Sequence, residues 1–237
     1  MMERIAETSP RFKARIAGVF QLLEAVTAAF GQVIVLDRLV VSGNAAATAA
    51  NILAHEPLFW LGFASSLIGV VFHIAWALLF YELLKPVNRS VSLLAAFVIL
   101  VGCAVQALTS LFYLAPLLIL QGGSSLSAFT PEQLQALALV FLRLRAAAYH
   151  NIGLVFFGLY CLLVGILILR SRFLPRILGV LMALAGLSYM PFLSAPLVRS
   201  LQPYILIFPG VGQISLTLWL LVMGVNVQRW KDKASAA

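Results

Sequence analysis

The chain is 237 residues long, 62% hydrophobic and only 10% charged, with a formal net charge of +8. Water-soluble domains carry about 25% charged residues. A chain with mean hydropathy +1.03 cannot cover its own surface in water, so lipid must surround most of it. The basic balance does not point to nucleic acid. The positive charge sits in short segments beside apolar runs, where it anchors helices against anionic lipid.

A helix needs about 20 apolar residues to cross a bilayer. Six such runs occur, at about 16–36, 58–83, 91–120, 149–169, 177–197 and 204–227. The expected fold is therefore all-α, a polytopic membrane helix bundle of six transmembrane helices in a single domain. The first run carries Glu24, is long and is followed by no small-residue cleavage site, so it reads as a span rather than a cleaved signal. With the N-terminus inside, twelve Lys and Arg residues fall in inside segments and four in outside ones. The positive-inside rule then places both termini in the cytoplasm. Trp60, Trp219 and Trp230 fall near span ends, as an interfacial aromatic belt requires.

The connections carry their own signals. In "SGNAAATAANILAHEP" (42–57), Asn44 precedes a run of good helix formers, which predicts a short outer-surface helix capped by Asn44. In the third connection, "TPEQ" places Thr130 as cap, Pro131 at the first helical position and Gln133 three residues on, a capping box. It opens a second outer helix that can run directly into span four. "LLKPVNRS" and "RSRFLPRI" read as tight inside turns around Pro86 and Pro175. Gly158 and Gly165, and again Gly179 and Gly186, recur seven apart on one helix face, where small residues let helices approach closely. Cys103 and Cys161 read as buried packing thiols.

Ionisable and amide side chains within spans call for a partner or a role. Glu24, His73, Gln106, Tyr160 and Gln213 form the candidate intramembrane polar set, and Glu82, near a span end and three residues before Lys85, either snorkels or pairs there. At 1.5 Å per residue, Glu24 lies about 12 Å and His73 about 15 Å above the inner ends of their spans. The two can meet near mid-membrane, either as a structural pair or as a ligand or proton site. A second candidate cluster lies outside: His55, Glu56, Arg143, Arg145 and His150. His55, Glu56 and His150 offer donor atoms for a metal but no compact ligand motif. The two arginines favour an anion or lipid headgroup. His73 and His150 sit at different depths, which argues against a shared haem, so no cofactor and no metal is expected. No glycine-rich phosphate loop, G-x-S-x-G elbow or C-x-x-C occurs.

Four stretches resemble a known family of bacterial multi-pass proteins, domain of unknown function 4386. They are "GLVFFGLYCLLVGILILRSRFLPRILGVLMALAGLSYM" (153–190), "AAATAANILAHEPLFWLGF" (45–63), "AFTPEQLQALALVFLRL" (128–144) and "GQISLTLWLLVMGVN" (212–226). The resemblance covers essentially the whole chain, and "RSRFLPRILGVL" is its most specific part. It implies a six-span bacterial inner-membrane protein and brings no activity, substrate or catalytic residue. Against the family pattern, Trp60 stands for a frequent Arg, Ser66 for an acidic residue, Arg145 for His and Gln213 for Glu. Gln213 keeps hydrogen-bonding capacity but cannot titrate.

Three functions remain open on the sequence. The first is binding or moving a lipophilic or amphipathic small molecule or lipid in an intramembrane cavity. The second is a non-catalytic component acting through helix contacts with a membrane partner or a second copy. The third is an intramembrane enzyme using a Glu/His pair.

Overall fold

The computed structural model describes residues 9–202 and 204–236. Among the described residues the chain is helical with no strand, and six helices are long and apolar enough to span a membrane. In chain order these spans are α1 (Pro10–Leu39), α3 (Glu56–Leu84), α4 (Arg89–Gln121), α5 (Pro131–Ser171), α6 (Arg176–Leu193) and α8 (Tyr204–Val222). Three shorter helices complete the set: α2 (Ala45–Ala54), α7 (Ala195–Leu201) and α9 (Val227–Ser235). Arg4, one of the basic residues weighed for orientation, lies outside the described residues.

The local signals hold. The Asn44 side chain accepts from the backbone N–H of Ala47 at 2.9 Å and starts α2. Thr130 and Gln133 exchange both hydrogen bonds of the capping box and start α5. The third-connection helix and span four form one element, α5. At 41 residues it is longer than any bilayer requires.

Span one starts earlier than the sequence reading, at Pro10 rather than 16, and spans five and six end earlier. Span five ends at Leu193, not 197, because Met190–Leu193 tightens into a 3-10 turn around Pro191 and Ser194 turns extended. Span six ends at Val222, not 227. Gly224 adopts φ +67, a conformation open to glycine without penalty. A separate polar helix, α9, follows with Asn226 as its cap.

The chain divides into two compact units. Unit one takes the described residues up to Leu22, Phe72–Cys103 and those from Asn151 onward. Unit two takes Leu23–Val71 and Ala104–His150.

In unit one, α5 and α6 pack through the four glycines. A Cβ built on Gly165 would lie 2.8 Å from the Gly179 carbonyl oxygen, and one on Gly186 would lie 2.6 Å from that of Gly158. No side chain fits there, so the backbones touch directly. Helix α8 packs on α6, with Gly212 against Leu181. Glu82 is bracketed by two lysines, Lys85 Nζ at 2.8 Å and Lys13 Nζ at 3.5 Å. The Trp230 indole N–H donates to the Leu83 carbonyl at the end of α3, and that of Trp219 donates to Gly224. Cys103 and Cys161 are both buried.

In unit two, α2 inserts Ile52 into an apolar core with Val35, Leu36, Leu39, Phe59, Tyr113, Leu117 and Leu142. The Asn51 amide donates to the Leu39 carbonyl, which satisfies an orphan acceptor at the end of α1. Side chains such as Leu108, Leu111 and Leu118 stand exposed along one stripe of α4. A large apolar stripe of this kind needs lipid against it.

Candidate functional site: a polar cavity with an arginine in unit two

Two π-helical segments interrupt otherwise regular spans, Phe30–Leu36 within α1 and Tyr149–Gly153 within α5. A π turn inserts an extra residue and re-aims the side chains that follow, and such turns concentrate at functional sites. Both segments contribute to one cavity. It is lined by Gln32 and Val33 from α1, Ser66 and Gly69 from α3, Gln106, Thr109 and Ser110 from α4, and Arg145 and Tyr149 from α5. Its volume is about 290 Å³, at the small end of the range for ligand sites.

The lining is polar for a structural reason that leaves chemistry available. Thr109 and Ser110 donate their hydroxyls to the Gln106 carbonyl, at 2.8 and 3.3 Å. Ser66 donates to the Gly62 carbonyl at 2.9 Å. Each hydroxyl is thereby anchored to its own helix while its oxygen lone pairs remain as acceptors. Beside the cavity, Ser65 of α3 donates to the Thr27 carbonyl of α1 at 2.7 Å. Gly69 makes room for the Thr27 side chain, so α1 and α3 lie close.

Arg145 is the cation of the site. Its guanidinium lies 5.0 Å from the centroid of the Tyr113 ring, a cation–π stack. Tyr113 is fully buried against Phe59, with ring centroids 4.8 Å apart. Its hydroxyl has no hydrogen-bond partner among the described residues, and it packs where Gly62 has no side chain. Arg145 Nη1 donates to Gln32 Oε1 at 3.4 Å, and Gln32 Nε2 donates to Asp37 at 2.9 Å. Among the described residues the direct ion pairs are those of Glu82, and Arg145 meets Asp37 only through Gln32. Gln32 and Arg145 also line a second cavity of about 360 Å³, with Leu36, Asp37, Val40 and Leu142. The Gln32–Arg145 contact thus separates two pockets.

The residues singled out from the sequence are distributed as follows. Gln106 lines the cavity. Glu24 is half-buried in unit two, near enough to Tyr149 to act on it electrostatically. His73, Tyr160 and Gln213 belong to unit one, where one aromatic cluster joins them. The His73 ring lies 5.3 Å from Phe157 and 5.1 Å from Trp76, and Tyr160 lies 5.3 Å from Trp76. Phe157 touches Tyr189 at 5.4 Å, and the Tyr189 hydroxyl accepts from the Gln213 amide at 3.0 Å. Glu24 belongs to unit two and His73 to unit one.

In the second set, Arg145 lines both cavities, while Arg143 is exposed. His55 closes α2, its Nδ1 3.0 Å from the Asn51 carbonyl oxygen. Glu56 accepts from Gln121 at 3.0 Å, and the His150 ring lies against Tyr149. Among the described residues no group of three or more His, Cys, Asp and Glu side chains is placed to hold a metal ion. Gln32, Thr109 and Ser110 are not among the sequence candidates, and Ser66 enters them only as a departure from the family pattern. Gln32 interrupts an apolar run just as Gln106 does, so the same criterion would have found it.

Six apolar crossings and a polar cavity among four of them define a multi-pass α-helical membrane protein. Within that class, the chain belongs to the family described as domain of unknown function (DUF4386), whose model matches residues 16–224. No curated protein and no solved structure matches it.

Proposed function

We propose that the protein binds an amphipathic molecule with an anionic headgroup in the cavity of unit two, the headgroup held by Arg145. One observation carries this reading: a partly buried guanidinium on α5, with no direct ion pair among the described residues, lining a cavity rimmed by hydroxyl and amide groups. A buried cation is costly unless a hydrogen-bonding partner or an anion reaches it. Arginine offers five N–H donors in a fork that suits carboxylate or phosphate, and only one donor engages Gln32. Ser66, Thr109 and Ser110 supply acceptors for a hydroxyl-bearing headgroup.

The test is mass spectrometry of molecules extracted from the protein purified in mild detergent, with Arg145→Gln and Arg145→Lys beside the unmodified chain. A charge-assisted hydrogen bond is worth about 1.5–3 kcal/mol. Arg145→Gln is therefore expected to lower the retained anionic species by about ten-fold or more, with Arg145→Lys in between. The same molecular profile in all three proteins would refute the reading.

We further infer a bacterial inner-membrane location from the family resemblance, and both termini in the cytoplasm from the distribution of Lys and Arg. Reporter fusions at the C-terminus and at Ser125 should report the cytoplasm and the periplasm respectively. The reverse pattern would overturn the orientation.

A further inference from the structure

We propose that a basic groove in unit one binds a ligand carrying two phosphate groups. The groove is built from the end of α5, the turn at 172–175, the start of α6 and helix α9, and encloses about 1060 Å³. Among the described residues, Arg170, Arg172, Arg176, Arg229 and Lys233 line it with one carboxylate, Asp232. Asp232 accepts from Gln228 and forms no ion pair with these cations among the described residues. Five like charges gathered in one concavity repel one another unless an anion occupies it. A single phosphodiester would leave most of that charge unmatched. Two phosphates, each recognised by a fork of arginine donors, match it more closely.

The backbone holds this arrangement at some expense. Arg172 sits at φ +59, the sole positive-φ non-glycine among the described residues. It occupies the helix-ending position where glycine is the ordinary choice. Arg176 stands in the first turn of α6, which holds no acidic residue, at the end of a helix dipole that favours an anion. Helix α9 is fixed onto the turn by two bonds. The Asn226 N–H donates to the Phe173 carbonyl at 3.1 Å, and Arg229 Nη1 donates to the Arg172 carbonyl at 3.2 Å. Uniform anchoring against anionic lipid needs basic side chains but neither a left-handed arginine nor a second helix fastened across the groove. These residues are separate from the cavity of unit two, so this proposal stands or falls independently of that one.

The phosphates can belong to a lipid headgroup or to a soluble diphosphate, and the experiment distinguishes them. Native mass spectrometry of the full chain in detergent, titrated with cardiolipin, phosphatidylglycerol or inorganic pyrophosphate, gives three affinities. Cardiolipin is expected to bind about ten-fold or more tightly than phosphatidylglycerol if the source is lipid. Pyrophosphate is expected to bind if the source is soluble. Each surface cation contributes about five-fold, so Arg172→Gly with Arg176→Gln should weaken the preferred ligand about 25-fold. Arg172→Gly alone relieves the positive φ and so keeps the fold, with about a five-fold loss. Equal affinity for the two lipids with no pyrophosphate binding would overturn the proposal. So would wild-type affinity in either variant.

Discussion

Replacing Gly165 with alanine is expected to destabilise the protein by about 1–3 kcal/mol, the usual penalty for overpacking a tight contact. The added Cβ would lie 2.6 Å from the Ala183 backbone nitrogen, 2.8 Å from the Gly179 carbonyl oxygen and 3.0 Å from the Ala183 Cα. All three are backbone atoms. No rotamer change can relieve the clash, so α5 and α6 must separate. Separation weakens every contact along the seam, including the reciprocal one at Gly158 and Gly186, because lipid offers no hydrophobic penalty to hold the helices together. Gly165→Leu should prevent the folded protein from accumulating. Gly210→Ala is the matched control: a Cβ there meets nothing within 4 Å, and the change should stay within about 0.5 kcal/mol. Unfolding in detergent, by SDS titration or heat, reads both. Equal stability of Gly165→Ala and Gly210→Ala would show that the seam does not hold the pair.

That seam is readable in the sequence because its signal is local to each helix: two glycines seven apart on each helix of the pair. The caps at Asn44 and Thr130 were readable for the same reason, since a cap is a contact between near neighbours. The cavity was readable only in part. Gln106 and Arg145 stand out as polar groups in apolar surroundings, but which of them face each other is a matter of helix azimuth. In a soluble helix the apolar face reveals azimuth. A helix in lipid is apolar all round, and that information is lost. Depth along the axis survives, which is why Glu24 and His73 could be set at similar heights without fixing their neighbours. The π segment at Phe30–Leu36 adds a further shift, because a side chain beyond it points where a 3.6-residue count does not place it. Gln32 lies inside that segment. The basic groove was hidden differently. Its arginines were visible, but α9 reaches them only after the break at Gly224, and an unbroken span to 227 carries no such turn.

Glu82→Gln is expected to cost about 3 kcal/mol, while Lys13→Met should cost much less, and this asymmetry follows from burial. Lys13 is 7% exposed and its ammonium lies 3.5 Å from Glu82 Oε2. Removing the carboxylate charge leaves a buried cation without its counter-ion, the situation that costs about 3–5 kcal/mol in buried pairs. The Glu82 side chain is 25% exposed, which places the expected value at the low end. The reverse substitution is milder. With Lys13 gone, Glu82 keeps Lys85 at 2.8 Å, and a methionine fills most of the lysine volume without a charge to desolvate. The double variant should then be close to Lys13→Met alone, because the buried charge that penalised Glu82→Gln is no longer present. A double-mutant cycle measures this directly as a coupling of about 2 kcal/mol or more, within the range for residues in contact. Additive losses, or equal losses in the two single variants, would mean that Lys13 is stabilised by something other than Glu82.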